Sequence, residues 1–175
     1  MGQGLSLGIC IAIPLAVGVL SALTQGDSIK SWYPKLKKPS WTPPNWLFGP
    51  MWTLLYTGMG IASWLVFKEG GFEKQALPLG LYGVNLLFNL AWTPLFFNRK
   101  KLGWALADIL AMDAAAVATT VTFYPVNPLS SYIMLPYLAW GGYATALNYK
   151  IMVDNPNADK IGASESEEPI LNNST

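Results

Sequence analysis

The sequence contains no histidine and a single cysteine, Cys10. The first absence removes every His-based triad, imidazole metal site and imidazole acid–base scheme. The second removes an intramolecular disulfide and any cysteine cluster, and with both gone a structural zinc site is excluded. Charge is scarce as well. Asp, Glu, Lys and Arg make up 12% of the 175 residues, where an ordinary soluble domain carries about 25%. The net charge is +1, so the basic stripe of a nucleic-acid-binding protein is missing. No internal repeat stands out, which counts weakly against an inverted-repeat transporter.

What remains is apolar and aromatic. Hydrophobic residues make up 52% of the chain, with eight Trp, eight Tyr and seven Phe, and the mean hydropathy is +0.31. Five stretches reach the length of about 18 residues that a helix needs to cross a bilayer. They run over about 5–24, 46–67, 76–97, 102–123 and 129–152. The expected fold is therefore an all-α integral membrane protein, a bundle of five transmembrane helices over residues 1–153. The polar tail from 154 to 175, with Glu165, Glu167 and Glu168, reads as a disordered acidic cytosolic segment. Its sequons at Asn172 and Asn173 would go unused on that side. The first span lacks a positive n-region and no soluble domain follows it, so it reads as a retained helix rather than a signal peptide. Met1-Gly2-Gln3-Gly4-Leu5-Ser6 fits the myristoylation pattern, but the span begins at once and presents the glycine poorly to a transferase.

The basic residues set an orientation. Lys30, Lys35, Lys37, Lys38, Arg99, Lys100, Lys101, Lys150 and Lys160 fall at one end of a five-span bundle, and only Lys68 and Lys74 at the other. The positive-inside rule then places the C-terminus in the cytosol.

Within the spans, small residues recur at spacing four: Gly8, Ala12 and Ala16 in the first, Ala107, Ala111 and Ala115 in the fourth. The plain reading is a packing seam, and the alternative is a pocket wall. Asp108 shares a helix face with Trp104, whereas Asp113 lies about 140° away from Asp108 around the axis. Asp108 reads either as a structural hydrogen-bonding group or as a functional intramembrane carboxylate, and Asp113 as facing Ser, Thr or Asn on a neighbour. In the fifth span Trp140, Ala144, Leu147 and Asn148 form one stripe of an aromatic, a small residue, an aliphatic and an amide. That is the make-up of an apolar pocket with one orienting polar group, or else of bundle core. Trp52 and Tyr56 share a face with Gly60 and Ser63, with the same two readings. The lead-in Pro39-Ser40-Trp41-Thr42-Pro43-Pro44-Asn45-Trp46 is stiff and extended, fit to close over the bundle or to anchor at the interface.

Taken together, several of these stretches resemble one family. They are Trp32-Tyr33, Lys38-Pro39-Ser40-Trp41-Thr42-Pro43-Pro44, Pro50-Met51-Trp52, Pro78-Leu79-Gly80-Leu81-Tyr82, Asn89-Leu90-Ala91-Trp92, Phe96-Phe97, Gly103-Trp104-Ala105-Leu106-Ala107-Asp108, and Pro136-Tyr137-Leu138-Ala139-Trp140 through Leu147-Asn148-Tyr149. In this order they are similar to the translocator proteins, the TspO/MBR or tryptophan-rich sensory proteins, known in animals as the peripheral benzodiazepine receptor. The likeness is closer to the animal branch.

The resemblance implies a five-helix bundle, often dimeric, that binds cholesterol and porphyrins such as protoporphyrin IX in a pocket under the first loop. Porphyrin is then a ligand and not a cofactor, and no cofactor or metal is expected. The pocket implied by matching motifs is Ala22, Phe48, Gly49, Met51, Trp52, Trp104, Ala107, Ala111, Trp140, Ala144, Leu147 and Asn148, with Asp108 and Asn89 as polar support. Asn148 would orient a polar group of the ligand, and Trp52 and Trp140 would stack on a flat ring. Expected partners are lipid, sterol and tetrapyrrole, a second copy of the chain and, by analogy, an outer-membrane channel. The expected membrane is the mitochondrial outer membrane, with a secretory membrane as the alternative. Two departures stand out. Thr42 replaces the histidine common in animal members, which removes contacts that need an imidazole. Leu147-Asn148-Tyr149-Lys150 leaves no spacer after Tyr149 and no Lys or Arg follows before Lys160, so the formal cholesterol motif fails. Binding and aided transport without covalent chemistry is the leading expectation. Light- or oxygen-dependent porphyrin breakdown, and proton-coupled transport through Asp108, are the alternatives.

Overall fold

The computed structural model describes residues 3–161. Gly2, the acidic residues Glu165, Glu167 and Glu168, and the two sequons lie outside the described residues. Five long helices carry the chain: α1 (Gln3–Gln25), α3 (Asn45–Phe67), α5 (Ala76–Thr93), α6 (Leu102–Phe123) and α7 (Pro128–Asp154). Two single turns, α2 (Ser28–Ser31) and α4 (Gly71–Lys74), sit in connectors, and α5 continues as a π-helical turn over Pro94–Asn98. The boundaries match the apolar stretches because the same signals set both. Pro44 is extended ahead of α3. Asn127 caps α7 by accepting the Leu129 N–H at 3.1 Å, with Pro128 at its first turn.

Among the described residues three helical stretches, Gly4–Gln25, Ala76–Asn98 and Leu102–Phe123, are both long and apolar enough to cross a membrane. At 23 and 27 residues α3 and α7 have the length, but Trp, Tyr, Ser, Gly and Asn dilute their apolarity. Large apolar side chains nevertheless face outward around the bundle, among them Leu5, Leu23, Leu54, Leu77, Leu87 and Val121. In water this would be an unsatisfied surface; facing lipid tails it costs nothing. The molecule is an all-helical membrane protein.

The helices close a ring in which α1 packs on α3, α3 on α7, α7 on α6, α6 on α5, and α5 again on α1. Contact between α1 and α3 is backbone-close at Gly60, where an added Cβ would stand 2.5 Å from Ile11 Cα. Asp113 does meet a neighbouring hydroxyl, since Thr145 donates to its Oδ2 at 2.7 Å. The half of the ring away from the lysine-rich end is solid, filled by Leu55, Met59, Val66, Leu86, Phe123 and Met134. Tyr56 donates to Asn89 Oδ1 at 2.6 Å, Asn89 Nδ2 donates to Tyr137 Oη at 3.3 Å, Tyr137 donates to Asn85 Oδ1 at 3.2 Å, and Asn85 Nδ2 donates to the Met112 carbonyl at 2.9 Å. This chain ties α3, α5, α6 and α7 together and satisfies groups that lipid or core would leave unpaired.

The other half is closed differently. The connector from α1 to α3 folds over the lysine-rich end and buries Trp32, Tyr33 and Leu36 against Phe96, Phe97 and Leu147. The segment expected to be disordered from Asp154 is packed here as far as Ile161, because the connector gives it partners. Asn155 and Ala158 are buried, and the Ala158 carbonyl accepts the Trp32 indole N–H at 2.8 Å.

Candidate ligand-binding site

Between the solid half and the folded-over connector lies a cavity of about 570 Å³. Its size suits a drug-sized or polycyclic molecule. The C-terminal half of α1 contributes Leu15, Gly18, Ser21 and Ala22, and the N-terminal half of α3 contributes Phe48, Gly49, Trp52 and Tyr56. On α5 and its π-turn the walls are Asn89, Trp92, Phe96 and Phe97. Consecutive Phe96 and Phe97, both on this π turn, are both buried. Ile109 and Met112 come from α6, and Trp140, Ala144, Leu147 and Asn148 from α7. Ile29 and Tyr33 of the connector complete the lining.

Of the residues singled out from sequence, the cavity collects Ala22, Phe48, Gly49, Trp52, Trp140, Ala144, Leu147 and Asn148, with Asn89 at its floor. Five others lie elsewhere. Met51 packs against the solid half. Trp104 is 71% exposed and, with Ala107, lines a separate cleft on the outside of the bundle. Ala111 is not part of the lining, and Asp108 turns its Oδ2 into a buried spot with no partner. The inward stripe of α6 is Ala105, Ile109, Met112 and Ala116, all buried, one residue along from the expected one. Ser21, Tyr56, Trp92, Phe96, Ile109 and Met112 line the cavity without having been singled out for it, Tyr56 having been noted only for its shared face with Trp52.

The polar groups also fall differently. Asn148 is buried with both ends of its amide occupied: Oδ1 accepts from Trp92 Nε1 at 3.0 Å and Nδ2 donates to the Leu102 carbonyl at 3.1 Å. It holds α5, α6 and α7 together at the cavity wall. The buried polar atoms left without a partner in the cavity wall are the Trp140 Nε1 and the Ser21 Oγ. Neither ring of the expected aromatic pair is free-standing. Trp52 stacks on Tyr56 with centroids 5.3 Å apart, Trp140 stacks on Tyr143 at 5.5 Å, and the two indoles meet edge to face at 6.4 Å.

The connector is held in place at several points. Tyr143 donates to the Trp41 carbonyl at 2.6 Å and packs edge-on against the Trp41 ring. Lys38 Nζ donates to the carbonyls of Tyr33, Pro34 and Leu36 and lies 4.7 Å from the Tyr33 ring centroid. Burial pushes the Lys38 ammonium below the usual lysine range. It raises the Tyr33 phenol, with Tyr143 adding to the effect. Thr42 folds back on its own turn, its hydroxyl donating to the Pro39 carbonyl at 2.7 Å.

The family model for TspO/MBR proteins matches residues 10–153. The chain belongs to the TspO/MBR family. It is 47% identical over 152 residues to the translocator protein of Homo sapiens, covering 86% of this chain and 89% of that relative. A tryptophan-rich protein TspO of Archaeoglobus fulgidus is 38% identical over 151 residues, covering 86% and 97%. The tryptophan-rich sensory protein of Cereibacter sphaeroides is 37% identical over 142 residues, covering 80% and 88%. The matched TspO/MBR region spans most of α1 and nearly all of α7, so every helix that walls the cavity belongs to the shared domain.

Proposed function

We propose that this TspO/MBR protein is a membrane-embedded binding protein for flat, largely apolar molecules, sterols and tetrapyrroles such as protoporphyrin IX, and that it aids their movement between membranes. One observation carries this reading: an apolar cavity of about 570 Å³ whose wall contains two unpartnered polar atoms, Trp140 Nε1 and Ser21 Oγ. An indole N–H donates and cannot accept. The ligand must therefore bring an acceptor to it, which a propionate or a sterol oxygen supplies. The five helices are proposed as five membrane spans over residues 1–153, with the C-terminus cytosolic as the basic residues favour. The mitochondrial outer membrane and a homodimer follow from the family resemblance alone.

The test is a titration of the protein in lipid nanodiscs with protoporphyrin IX in darkness, read by quenching of Trp fluorescence. Saturable binding is expected, weakened about ten-fold in Trp140→Phe, the size of one lost hydrogen bond in a buried site. Absence of saturable binding overturns the tetrapyrrole assignment. Illumination of the same samples separates binding from chemistry: protein-dependent pigment loss that disappears in Trp140→Phe would replace this reading with a light-driven enzyme.

A further inference from the structure

Trp104 and Ala107 were expected in the internal cavity, and the structure turns them outward. They do not face featureless lipid. They form one wall of a second cleft, of about 470 Å³, at the lysine-rich end between the start of α6 and the end of α7, with Met152 opposite. Its upper rim carries Lys100 and Lys101. The backbone turn that ends the π-helical segment sets them there, with Lys100 at φ 52°. Lys101 also reaches the carboxylate of Asp159 at 3.5 Å, an exposed pair, and Lys100 Nζ lies 5.8 Å from the Trp32 ring centroid.

We propose that this cleft is a binding site for an anionic phospholipid, its phosphate on Lys100 and Lys101 and an acyl chain along Trp104, Ala107 and Met152. The arrangement is layered as a lipid is layered. Cations lie at the level where the helices leave the membrane, a largely exposed indole lies one turn deeper, and a small residue opens a groove below it. An exposed tryptophan beside two lysines is the composition of an interfacial anchor, and the concavity gives it one occupant rather than a general surface. Asp159 takes up only part of the charge, since two ammonium groups face one carboxylate across the cleft. The chain beyond Ile161 begins Gly162-Ala163-Ser164-Glu165-Ser166-Glu167-Glu168 and offers the lysines carboxylates. Its bulky apolar side chains, Pro169, Ile170 and Leu171, come only after those carboxylates, whereas a phospholipid joins one phosphate directly to its acyl chains, the order in which the cleft presents its lysines and its apolar wall; the acidic segment is the competing occupant that the test separates.

The test uses the full chain in nanodiscs of phosphatidylcholine containing a minor share of brominated lipid, either brominated phosphatidylserine or brominated phosphatidylcholine. Bromine quenches tryptophan on contact, and the signal of Trp104 is the difference between wild type and Trp104→Phe. The expected result is about five-fold enrichment of the anionic lipid at Trp104, the order of one lysine's attraction to an acidic headgroup. It falls to parity in the double variant Lys100→Gln/Lys101→Gln. It persists in Lys30→Gln/Lys160→Gln, which removes the same charge from the same end. Equal quenching by both lipids in wild type overturns the proposal. So does equal loss in the two double variants, which would mean diffuse surface attraction. Enrichment that emerges only when Glu165, Glu167 and Glu168 are changed to Gln would give the cleft to the chain's own acidic segment, and also overturns it.

Discussion

Asn155 pairs with the backbone of Lys37 in both directions: its Oδ1 accepts the Lys37 N–H at 2.9 Å and its Nδ2 donates to the Lys37 carbonyl at 2.9 Å. The same Nδ2 also reaches the Ile151 carbonyl at 2.8 Å. One side chain at the end of α7 thus does for the connector what a neighbouring strand would do. Asn155→Ala removes both bonds and leaves the Lys37 amide to solvent. The expected cost is about 1–3 kcal/mol, seen as a lower unfolding midpoint in detergent. The dissociation rate of bound protoporphyrin, followed by stopped flow, should rise with little change in the walls of the cavity. An unchanged rate would mean that the connector is not the barrier to release.

The hydrogen-bonded floor makes a separate prediction. Asn89 serves Tyr56 and Tyr137 at once. Asn89→Ala strands the Tyr56 hydroxyl and takes one of two partners from Tyr137, which keeps its bond to Asn85, at about 1–3 kcal/mol in all. Tyr56→Phe removes a single donor and should cost less. Thermal unfolding of the two variants should rank them in that order, and the reverse order would show that water replaces the amide.

Backbone proximity can be tested without touching any polar group. At Gly60 a methyl would meet Ile11 Cα at 2.5 Å and the Cys10 carbonyl at 2.8 Å. Backbone cannot swing aside, so Gly60→Ala should push α1 from α3 and lower stability by about 1–3 kcal/mol. Gly142→Ala, where nothing lies within 4 Å, should be neutral or slightly stabilising through helix propensity. Equal behaviour of the two variants would argue against the close crossing.

Trp92 and Trp104 give the sharpest contrast for the internal cavity. Trp92 lines it and donates to Asn148, while Trp104 points outward. Trp92→Phe should weaken protoporphyrin binding several-fold in the nanodisc titration, and Trp104→Phe should leave it unchanged. A large loss in Trp104→Phe would restore the residue to the ligand site.

That contrast also marks where the sequence stopped being readable. Helix limits were legible to within about two residues because Pro43-Pro44, Asn127-Pro128 and the charge-free runs are local signals. On α7 the stripe of Trp140, Ala144, Leu147 and Asn148 does line the cavity, since an amide and an indole amid apolar residues mark an inward face. On α6 the stripe through Trp104, Ala107 and Ala111 and the stripe through Ala105, Ile109 and Met112 lie side by side, and both are apolar. Lipid is as apolar as the bundle interior, so periodicity gives a stripe without saying which way it faces. Asn155 and Lys37 are 118 residues apart, and nothing local in either segment announces the pair.

The solid half of the bundle has a consequence for traffic. Beyond Tyr56, Asn89 and Tyr137 the interior is packed with Leu55, Met59, Val66, Leu86, Phe123 and Met134. The cavity lies on the lysine-rich side of that packed core. Passage of a molecule along the bundle axis from one face of the membrane to the other would require those side chains to part.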